Sequence, residues 1–360
     1  MSTTNLNGLT IPQTQKAWVI VKMGKPREAL VFDQNAPVPS LSEGEVLIKV
    51  QAAAFNPVGY KLMGLMPNFL MKRPHVAEHD FTGVIADANG TGLTPGEAVW
   101  GFIPVGLKIK TKQGSLAQYA RVPTSHIVPR SPFLKPTEAA GLGLAGMTAY
   151  EALVYIGKLE PGQNLFVNGG STAVGTVAIQ IAKAIGAKVT VSGSGKREDF
   201  LRGFGVDGFV DYTKEPLHVQ LERAPPPVKF HLIFDAVGDA NVPFYTHSAA
   251  YMQPNGLYLT VAPVPAGWTN LPSVLNLLRL TFEVNRPLWL GGTPRRWQKL
   301  PVMTVTKEKL QGLARFVDEG QLKPVVDSVF EFDDVLAAYD RIMSQRALGK
   351  VVVRVDPEAE

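Results

Sequence analysis

The stretch 168–175, which reads Asn-Gly-Gly-Ser-Thr-Ala-Val-Gly, has residue types suited to holding an anion. Apolar residues follow at the spacing of a helix buried against a sheet: Val174, Val177, Ala178, Ile181, Ala182 and Ile185. Unpaired N–H groups and the dipole at a helix N-terminus attract phosphate. Gly170 and Gly175 match the ends of the G-x-G-x-x-G pattern, with Thr172 in the middle. We therefore predict a dinucleotide pyrophosphate here, held by Gly170, Ser171, Thr172, Ala173 and Val174. A tight turn without a ligand is the alternative.

The next apolar run, 188–191, leads into Ser-Gly-Ser-Gly-Lys-Arg at 192–197. A chain that prefers NAD is expected to carry Asp or Glu here for the ribose hydroxyls, but the first acid is Glu198. Small hydroxyls and cations can instead hold a 2′-phosphate, and these are Ser192, Ser194, Lys196 and Arg197. The segment predicts NADPH rather than NADH. A solvated basic loop is the alternative, more so for Lys196 than for Arg197.

The composition of the chain excludes several kinds of site and partner. The chain has 360 residues and a formal charge of +5, with its charges scattered rather than clustered, so no nucleic-acid partner is expected. It contains no cysteine, which excludes disulfides, thiol catalysis and every zinc site built on cysteine. The polar start and the lack of a long apolar run predict a cytoplasmic protein without a membrane partner.

The elements that position the turn form two patterns. From Lys16 to about Pro129, short apolar runs broken by Gly and Pro predict a partly open β-barrel. Thr137 is predicted to cap an Ala-rich helix running towards Leu153. Apolar strands alternating with amphipathic helices then predict a doubly wound parallel sheet; the strand cores are 165–167, 188–191, 208–210, 232–234 and 257–261.

The stretch after Val261, as far as Leu300, shows no pattern that assigns it to an element. The last sixty residues predict helix, strand, helix and strand at 307–319, 323–330, 333–344 and 350–355. An ending in strands indicates that the chain returns to its first domain.

Motifs in a fixed order then reveal a family resemblance. Besides the glycine-rich turn they are 56–61, 78–84, 95–101, 114–119, 139–150, 234–238 and 349–352. With them the chain resembles the medium-chain dehydrogenase/reductase superfamily, in its zinc-independent quinone oxidoreductase and enoyl reductase branch. The turn is similar to that of fungal members, including trans-acting enoyl reductases that serve polyketide synthases.

The resemblance implies a GroES-like catalytic domain, 1–136 and 301–360, split around a Rossmann domain, 137–300, with NADPH in the cleft between them. It implies that Tyr212 lies with Arg197 at the 2′-phosphate and that Asn56 and Thr148 border the nicotinamide. It further assigns to the cofactor site Val237, Ala262 and Pro263.

Two departures from the family are visible. His79 stands where zinc-dependent members keep a ligand, but Asn56 takes the place of their first cysteine, so we expect a structural histidine and no metal. Gly59 stands where the branch usually has Asp, which predicts either a change in how Lys61 is held or a wider substrate mouth.

Without a metal to polarise a carbonyl, a conjugated C=C or a quinone is the favoured hydride acceptor. The hypothesis is hydride transfer from NADPH, with Lys61, Tyr60 or a water stabilising or protonating the oxyanion. The alternatives are a non-catalytic NADPH-binding sensor or scaffold and a carbonyl-reducing enzyme like an alcohol dehydrogenase.

The expected partner is a small hydrophobic unsaturated substrate, either free or bound to a carrier as an acyl thioester. Three cations, Arg295, Arg296 and Lys299, could hold a carrier's phosphate, although solvated side chains are the favoured interpretation. A monomer or a homodimer is expected.

Overall fold

The computed structural model describes residues 3–4, 10–238, 241–261, 271–301 and 304–359. The chain divides into two compact units, Met1–Met147 with Thr304–Glu360, and Thr148–Met303. The domain limits inferred from the sequence stay predictions, because compactness alone does not show which segments fold independently.

Short strands and helices build the first part of the chain. The strands are β1 (Thr3–Thr4), β2 (Thr10–Ile11), β3 (Thr14–Ile20), β4 (Leu30–Pro37), β5 (Glu45–Ala54), β6 (His75–Val76), β7 (Asp80–Asp87), β8 (Ala98–Phe102), β9 (Tyr119–Pro123) and β10 (Ile127–Pro129). The helices are α1 (Pro26–Ala29), α2 (Pro57–Leu65), α3 (Asn68–Met71), α4 (Val105–Thr111), α5 (Pro136–Ala139) and α6 (Gly143–Tyr150).

The second unit alternates strands with helices. Its strands are β11 (Asn164–Asn168), β12 (Lys188–Gly193), β13 (Gly208–Asp211), β14 (Phe230–Asp235), β15 (Met252–Thr260) and β16 (Arg296–Lys299). Its helices are α7 (Ala173–Ile185), α8 (Glu198–Arg202), α9 (Leu217–Arg223), α10 (Val242–Thr246) and α11 (Leu271–Asn285). The chain then ends in α12 (Lys307–Asp318), β17 (Val326–Glu331), α13 (Val335–Met343) and β18 (Lys350–Arg354).

In the first unit a largely antiparallel sheet runs in the order β10-β8-β7-β5-β18-β17, and β9 also pairs with β5. The last two strands of the chain thus join a sheet whose other strands, β5, β7, β8, β9 and β10, come from residues 45–129, so the chain returns to its first part as the sequence predicted. The register sets Val352 opposite Ala54 and Val353 opposite Ala53. Alternate residues of β5 and β18 fill the core, since successive side chains of a strand point to opposite faces.

The helix predicted from Thr137 to Leu153 was wrong in its start and its continuity. Pro136 occupies the first helical turn of α5, and the N–H of Lys135 donates to Glu138 Oε2 at 3.0 Å, so Thr137 is not the cap. The helix is interrupted after Ala139, resumes as α6 and continues as a π-helix over Glu151–Ile156. Proline is common in a first helical turn because an N–H there would have no acceptor within the helix, so α5 begins at Pro136.

The second unit contains a parallel sheet in the order β13-β12-β11-β14-β15-β16. Strand order reverses between β11 and β14, so a crevice opens at their carboxyl ends, where nucleotides bind in sheets of this kind. The sequence left 262–300 unassigned, and the described part of this stretch supplies α11 and the edge strand β16. No described helix is long and apolar enough to cross a membrane.

Candidate functional site

The turn between β11 and α7 has the strand-to-helix context that the sequence predicted. Thr172, in the place of the middle glycine, is the N-cap of α7. Its hydroxyl donates to the carbonyl of Gly169 and accepts from the N–H of Gly175, each at 2.9 Å. A hydroxyl at this position therefore closes the turn. The next N–H groups, of Ala173 and Val174, have no acceptor one turn earlier in a helix, as phosphate binding requires.

The glycines of the turn are required by backbone shape and space. Gly169 has φ +83°, a left-handed conformation that favours glycine. A Cβ atom added at Gly175 would lie 2.2 Å from the carbonyl oxygen of Gly169. This close approach of backbone to backbone keeps the turn tight against the helix.

Replacing Gly175 with Ala should therefore displace the turn and weaken dinucleotide binding by about 10- to 100-fold, because a hydrogen bond to a charged phosphate contributes about 1.5–3 kcal/mol. Gly106→Ala is the matched control, because a Cβ there meets no atom within 4 Å. Fluorescence titration with NADPH measures both variants. Equal affinity for NADPH in the two would contradict the placement of the turn.

Buried polar residues brace the turn from the sheet. Asn168 Nδ2 donates to Asp235 Oδ1 at 2.8 Å, and the Ser192 hydroxyl donates to Asn168 Oδ1 at 2.7 Å. That hydroxyl also accepts from the N–H of Gly169 at 2.9 Å, while Thr260 donates to Asp235 at 2.9 Å. The sequence analysis placed Asn168 in the turn and Asp235 in a family motif without this bracing role, and it missed Thr260. Their signal was a polar residue at the end of each of three apolar strands.

The cations predicted to hold a 2′-phosphate follow β12. Lys196 is exposed and Arg197 is half-buried. Within the described ranges neither side chain has a hydrogen bond or an ion pair, so both charges are available. Tyr212 follows the neighbouring strand, is 55% exposed, and donates its N–H to the carbonyl of Gly193 at 3.2 Å. Adjacent strands thus bring Tyr212 and the loop 194–197 to the same edge of the sheet.

For the other predicted cofactor residues the structure shows only their exposure or the element in which they lie. Ser194 is half-buried just before the cations, Ser171 is half-buried in the turn, and Val237 is 42% exposed after β14. Thr148 lies in α6. Ala262 and Pro263 lie outside the described residues.

In the first unit a buried polar cluster surrounds Asn56. Lys350 Nζ lies 2.8 Å from Asn56 Oδ1 and 2.8 Å from Asp80 Oδ2, and Asn56 Nδ2 donates to the same carboxylate oxygen at 2.9 Å. The other oxygen of Asp80 accepts from the N–H of Leu144 at 2.8 Å. All three side chains are buried. The cluster fixes Asn56 at the start of α2, the helix that carries Tyr60 and Lys61.

A second buried carboxylate, Glu78, occupies the space that Gly59 leaves. Its φ of 54° is left-handed, and its side chain is fully buried. One carboxylate oxygen accepts from the hydroxyl of Tyr339 at 2.6 Å and the other from the N–H of Asn56 at 3.3 Å. Burial raises the pKa of Glu78 to about 7, while the charge of Lys108 and the Tyr339 hydrogen bond oppose that rise.

A Cβ atom at Gly59 would lie only 2.2 Å from Glu78 Oε1. The missing side chain at Gly59 thus opens no cavity at that point, because the Glu78 carboxylate fills it. A wider substrate mouth therefore finds no support at this contact, and a change in how Lys61 is held stays a prediction.

We expect Gly59→Ala to destabilise the protein by about 2 kcal/mol, because it pushes the Glu78 carboxylate off its partners. Gly64→Ala on the same helix is the control, since its Cβ would be 3.8 Å from the nearest atom. Combining Gly59→Ala with Glu78→Gly should cost less than the sum of the single changes. Additive free energies of urea unfolding would show that the two positions are not coupled.

Tyr60 and Lys61, the proposed proton donors, are half-buried on α2. Burial lowers the pKa of Lys61 and raises the pKa of Tyr60. Among the described residues Lys61 has no hydrogen bond or ion pair. Burial thus eases proton release from the Lys61 ammonium and hinders it from the Tyr60 hydroxyl.

Comparison with known proteins identifies the family to which the chain belongs. Residues 42–132 match the alcohol dehydrogenase GroES-like domain, and residues 204–353 match the zinc-binding dehydrogenase family. The trans-enoyl reductase pgmF of Aspergillus terreus is 33% identical over 363 residues, covering 96% of this chain and 98% of that protein. The chain belongs to the medium-chain dehydrogenase/reductase superfamily. Its place is in the enoyl and quinone reductase branch, and it is an oxidoreductase of this type.

Two further similarities agree with this family assignment. The trans-enoyl reductase poxH of Penicillium oxalicum is 33% identical over 388 residues, covering 96% of this chain and 99% of that protein. The solved quinone oxidoreductase of Coxiella burnetii matches with a TM-score of 0.76 at 22% identity, covering 95% of this chain and 99% of that chain. The medium-chain fold predicted from the sequence, a parallel dinucleotide-binding sheet with a GroES-like domain, is confirmed.

His79, which stands where zinc-dependent relatives keep a ligand, is held by a main-chain contact in this structure. Its ring is buried, and Nδ1 lies 2.7 Å from the carbonyl oxygen of Ile103. Burial and the charge of Lys108 lower its pKa well below the usual value. In the part of the chain that the structure describes, no three His, Asp or Glu side chains are grouped as a metal site.

Proposed function

We propose that the chain is a zinc-independent reductase that uses NADPH to reduce an activated C=C bond or a quinone. The observation that carries the proposal is the closed turn at the start of α7, beside a strand end that presents two unpaired cations. Both features lie in the second unit.

The residues present fit NADPH. The turn is too tight for a Cβ at Gly175, and it leads into the first turn of α7, whose N–H groups have no acceptor within the helix and suit a pyrophosphate. Arg197, with Lys196 beside it, supplies a planar charged group for a 2′-phosphate. Tyr212 is exposed at the same sheet edge and offers its ring beside that phosphate.

When bound, NADPH supplies the hydride. The chain's own task is then to hold the substrate oxygen and deliver a proton. A conjugated C=C or a quinone needs only a proton donor at that oxygen, whereas an isolated ketone profits from a Lewis acid. Lys61 Nζ is the proposed donor, because its lowered pKa eases proton release and its ammonium has no partner in the described structure. Tyr60, whose pKa burial raises, is the weaker candidate.

Enoyl thioesters are the first substrate class to test, because the relatives pgmF and poxH are named trans-enoyl reductases. Arg295 is already engaged, since its guanidinium donates to the carbonyls of Met252 and Ala249 at 3.1 and 3.3 Å. Of the three cations considered for a carrier's phosphate, only Arg296 and Lys299 are exposed.

The test is NADPH oxidation followed by absorbance with a panel of enoyl thioesters, enones, quinones and simple ketones. We expect turnover with at least one of the first three classes, unchanged by a zinc chelator. Tight NADPH binding without turnover on any of them would favour a sensor or scaffold. Turnover confined to ketones would favour a carbonyl reductase.

Arg197→Ala tests the choice of cofactor. Losing a charged hydrogen bond to the 2′-phosphate should raise KM for NADPH by about 10- to 100-fold and leave KM for NADH unchanged. Arg202→Ala is the matched control, because that arginine pairs with Glu198 on the exposed side of α8. An equal rise in KM for both cofactors in Arg197→Ala would contradict the assignment.

A further inference from the structure

A turn after α11 exposes three consecutive apolar residues. Leu288, Trp289 and Leu290 are 66%, 82% and 54% exposed. The turn is closed by the N–H of Gly292, which donates to the carbonyl of Pro287 at 3.0 Å. The guanidinium of Arg286 also donates to the carbonyl of Gly291 at 2.7 Å. The apolar tip is therefore held out by a braced turn.

The glycines of this turn show that its shape is built in. Gly291 has φ +79°, and a Cβ at Gly292 would lie 1.9 Å from the carbonyl oxygen of Arg286. A side chain at either position would strain or open the turn. The two glycines therefore favour the turn conformation in which Leu288, Trp289 and Leu290 are exposed.

Helix α11 adds a second exposed apolar group. One side of the helix packs inward through Leu280 and Val284. The opposite side carries large apolar residues at spacings of four, three and four, all exposed: Leu271, Leu275, Leu278 and Phe282. Large exposed apolar residues grouped in this way mark a contact surface.

The charge around these residues indicates what covers them. Positions 271–299 contain five cations and one acid, a net charge of +4. The one acid, Glu283, pairs with Arg286 at 3.1 Å. A second copy of the chain would bring like charges together, whereas an anionic surface would be attracted. Exposed Leu, Phe and Trp beside Arg and Lys are the composition of a segment that lies in a lipid interface.

We infer that the surface formed by α11 and the turn 287–292 docks on an anionic lipid membrane. The apolar side chains enter the interface, and Arg279, Arg296 and Lys299 lie against the lipid headgroups. The contact is peripheral. None of these residues belongs to the turn at 168–175 or to α2. Because Arg296 and Lys299 are also the cations considered for a carrier's phosphate, the variants that test the inference lie at Trp289 and Leu290.

Vesicle flotation with the full-length protein tests the inference. We expect binding to phosphatidylcholine vesicles that contain phosphatidylserine, weakening at high salt, and little binding to phosphatidylcholine alone. The double change Trp289→Ser and Leu290→Ser should reduce bound protein by about tenfold. Phe133→Ser is the control, because Phe133 is 79% exposed elsewhere on the chain.

Circular dichroism and NADPH binding verify that the variants are folded. Binding that is equal on neutral vesicles, or unchanged in the double variant, would overturn the inference. So would a dimer in analytical ultracentrifugation that the double variant dissociates, because a second copy would then cover the surface.

Discussion

Replacing Lys350 with Met is expected to destabilise the protein by about 3–5 kcal/mol, the cost of leaving one member of a buried ion pair alone. The Lys350 ammonium is the cation that neutralises the buried carboxylate of Asp80, at 2.8 Å. Methionine keeps most of the volume but removes the charge. The measurement is the free energy of unfolding in urea.

Two variants separate charge from packing in that experiment. Lys183→Met removes a surface partner of Asp207 at the same kind of distance, 2.9 Å, and should cost about 0–1 kcal/mol. Adding Asp80→Asn to Lys350→Met neutralises the carboxylate and should recover part of the lost stability. If the double variant is no more stable than Lys350→Met, the loss arises from packing and not from the buried charge.

Lys61→Met should lower kcat by about 10²- to 10⁴-fold, the usual contribution of a positioned proton donor, while NADPH affinity is retained. The donor is the protonated amine, so kcat in the parent protein should fall as pH rises through the lowered pKa of Lys61. This alkaline decline should vanish in Lys61→Met. Stopped-flow and steady-state rates across pH measure both effects.

The control for this prediction is Lys110→Met, which removes an exposed lysine from α4 and should leave kcat unchanged. Unchanged turnover in Lys61→Met would exclude Lys61 as the donor and leave Tyr60 or a water. A fall in NADPH affinity equal to the fall in kcat would instead indicate a role in binding.

Local patterns were enough to predict the dinucleotide-binding sheet, because each of its first five strands is an apolar run next to an amphipathic helix. They were not enough for β16, whose four residues Arg-Trp-Gln-Lys carry no apolar run. Helix α11 was not predicted from the sequence for a different reason. Its apolar residues cover two opposite faces, which blurs the one-sided periodicity that indicates a packed helix.

Some features of the candidate site could likewise be predicted from local sequence, and others could not. The turn at 168–175 is contiguous, so its residues could be predicted from one segment. The partnership of Asp80 with Lys350 joins residues 270 positions apart. They come together only because β5 pairs with β7 on one side and with β18 on the other. The filling of Gly59 by Glu78 depends on a left-handed backbone at residue 78, which no local pattern encodes.

The place of β18 in the sheet has a consequence for how the protein is made. Asn56 and Asp80 leave the ribosome long before Lys350. The first unit therefore stays incomplete, and Asp80 lacks the cation that accompanies it in the folded core, until nearly all of the chain is synthesised. The parallel sheet of the second unit is contiguous in sequence and can close earlier. A nascent chain arrested before Lys350 would therefore hold a completed nucleotide-binding sheet beside an unfinished first unit. Such a truncated product would be a target for chaperones and proteases.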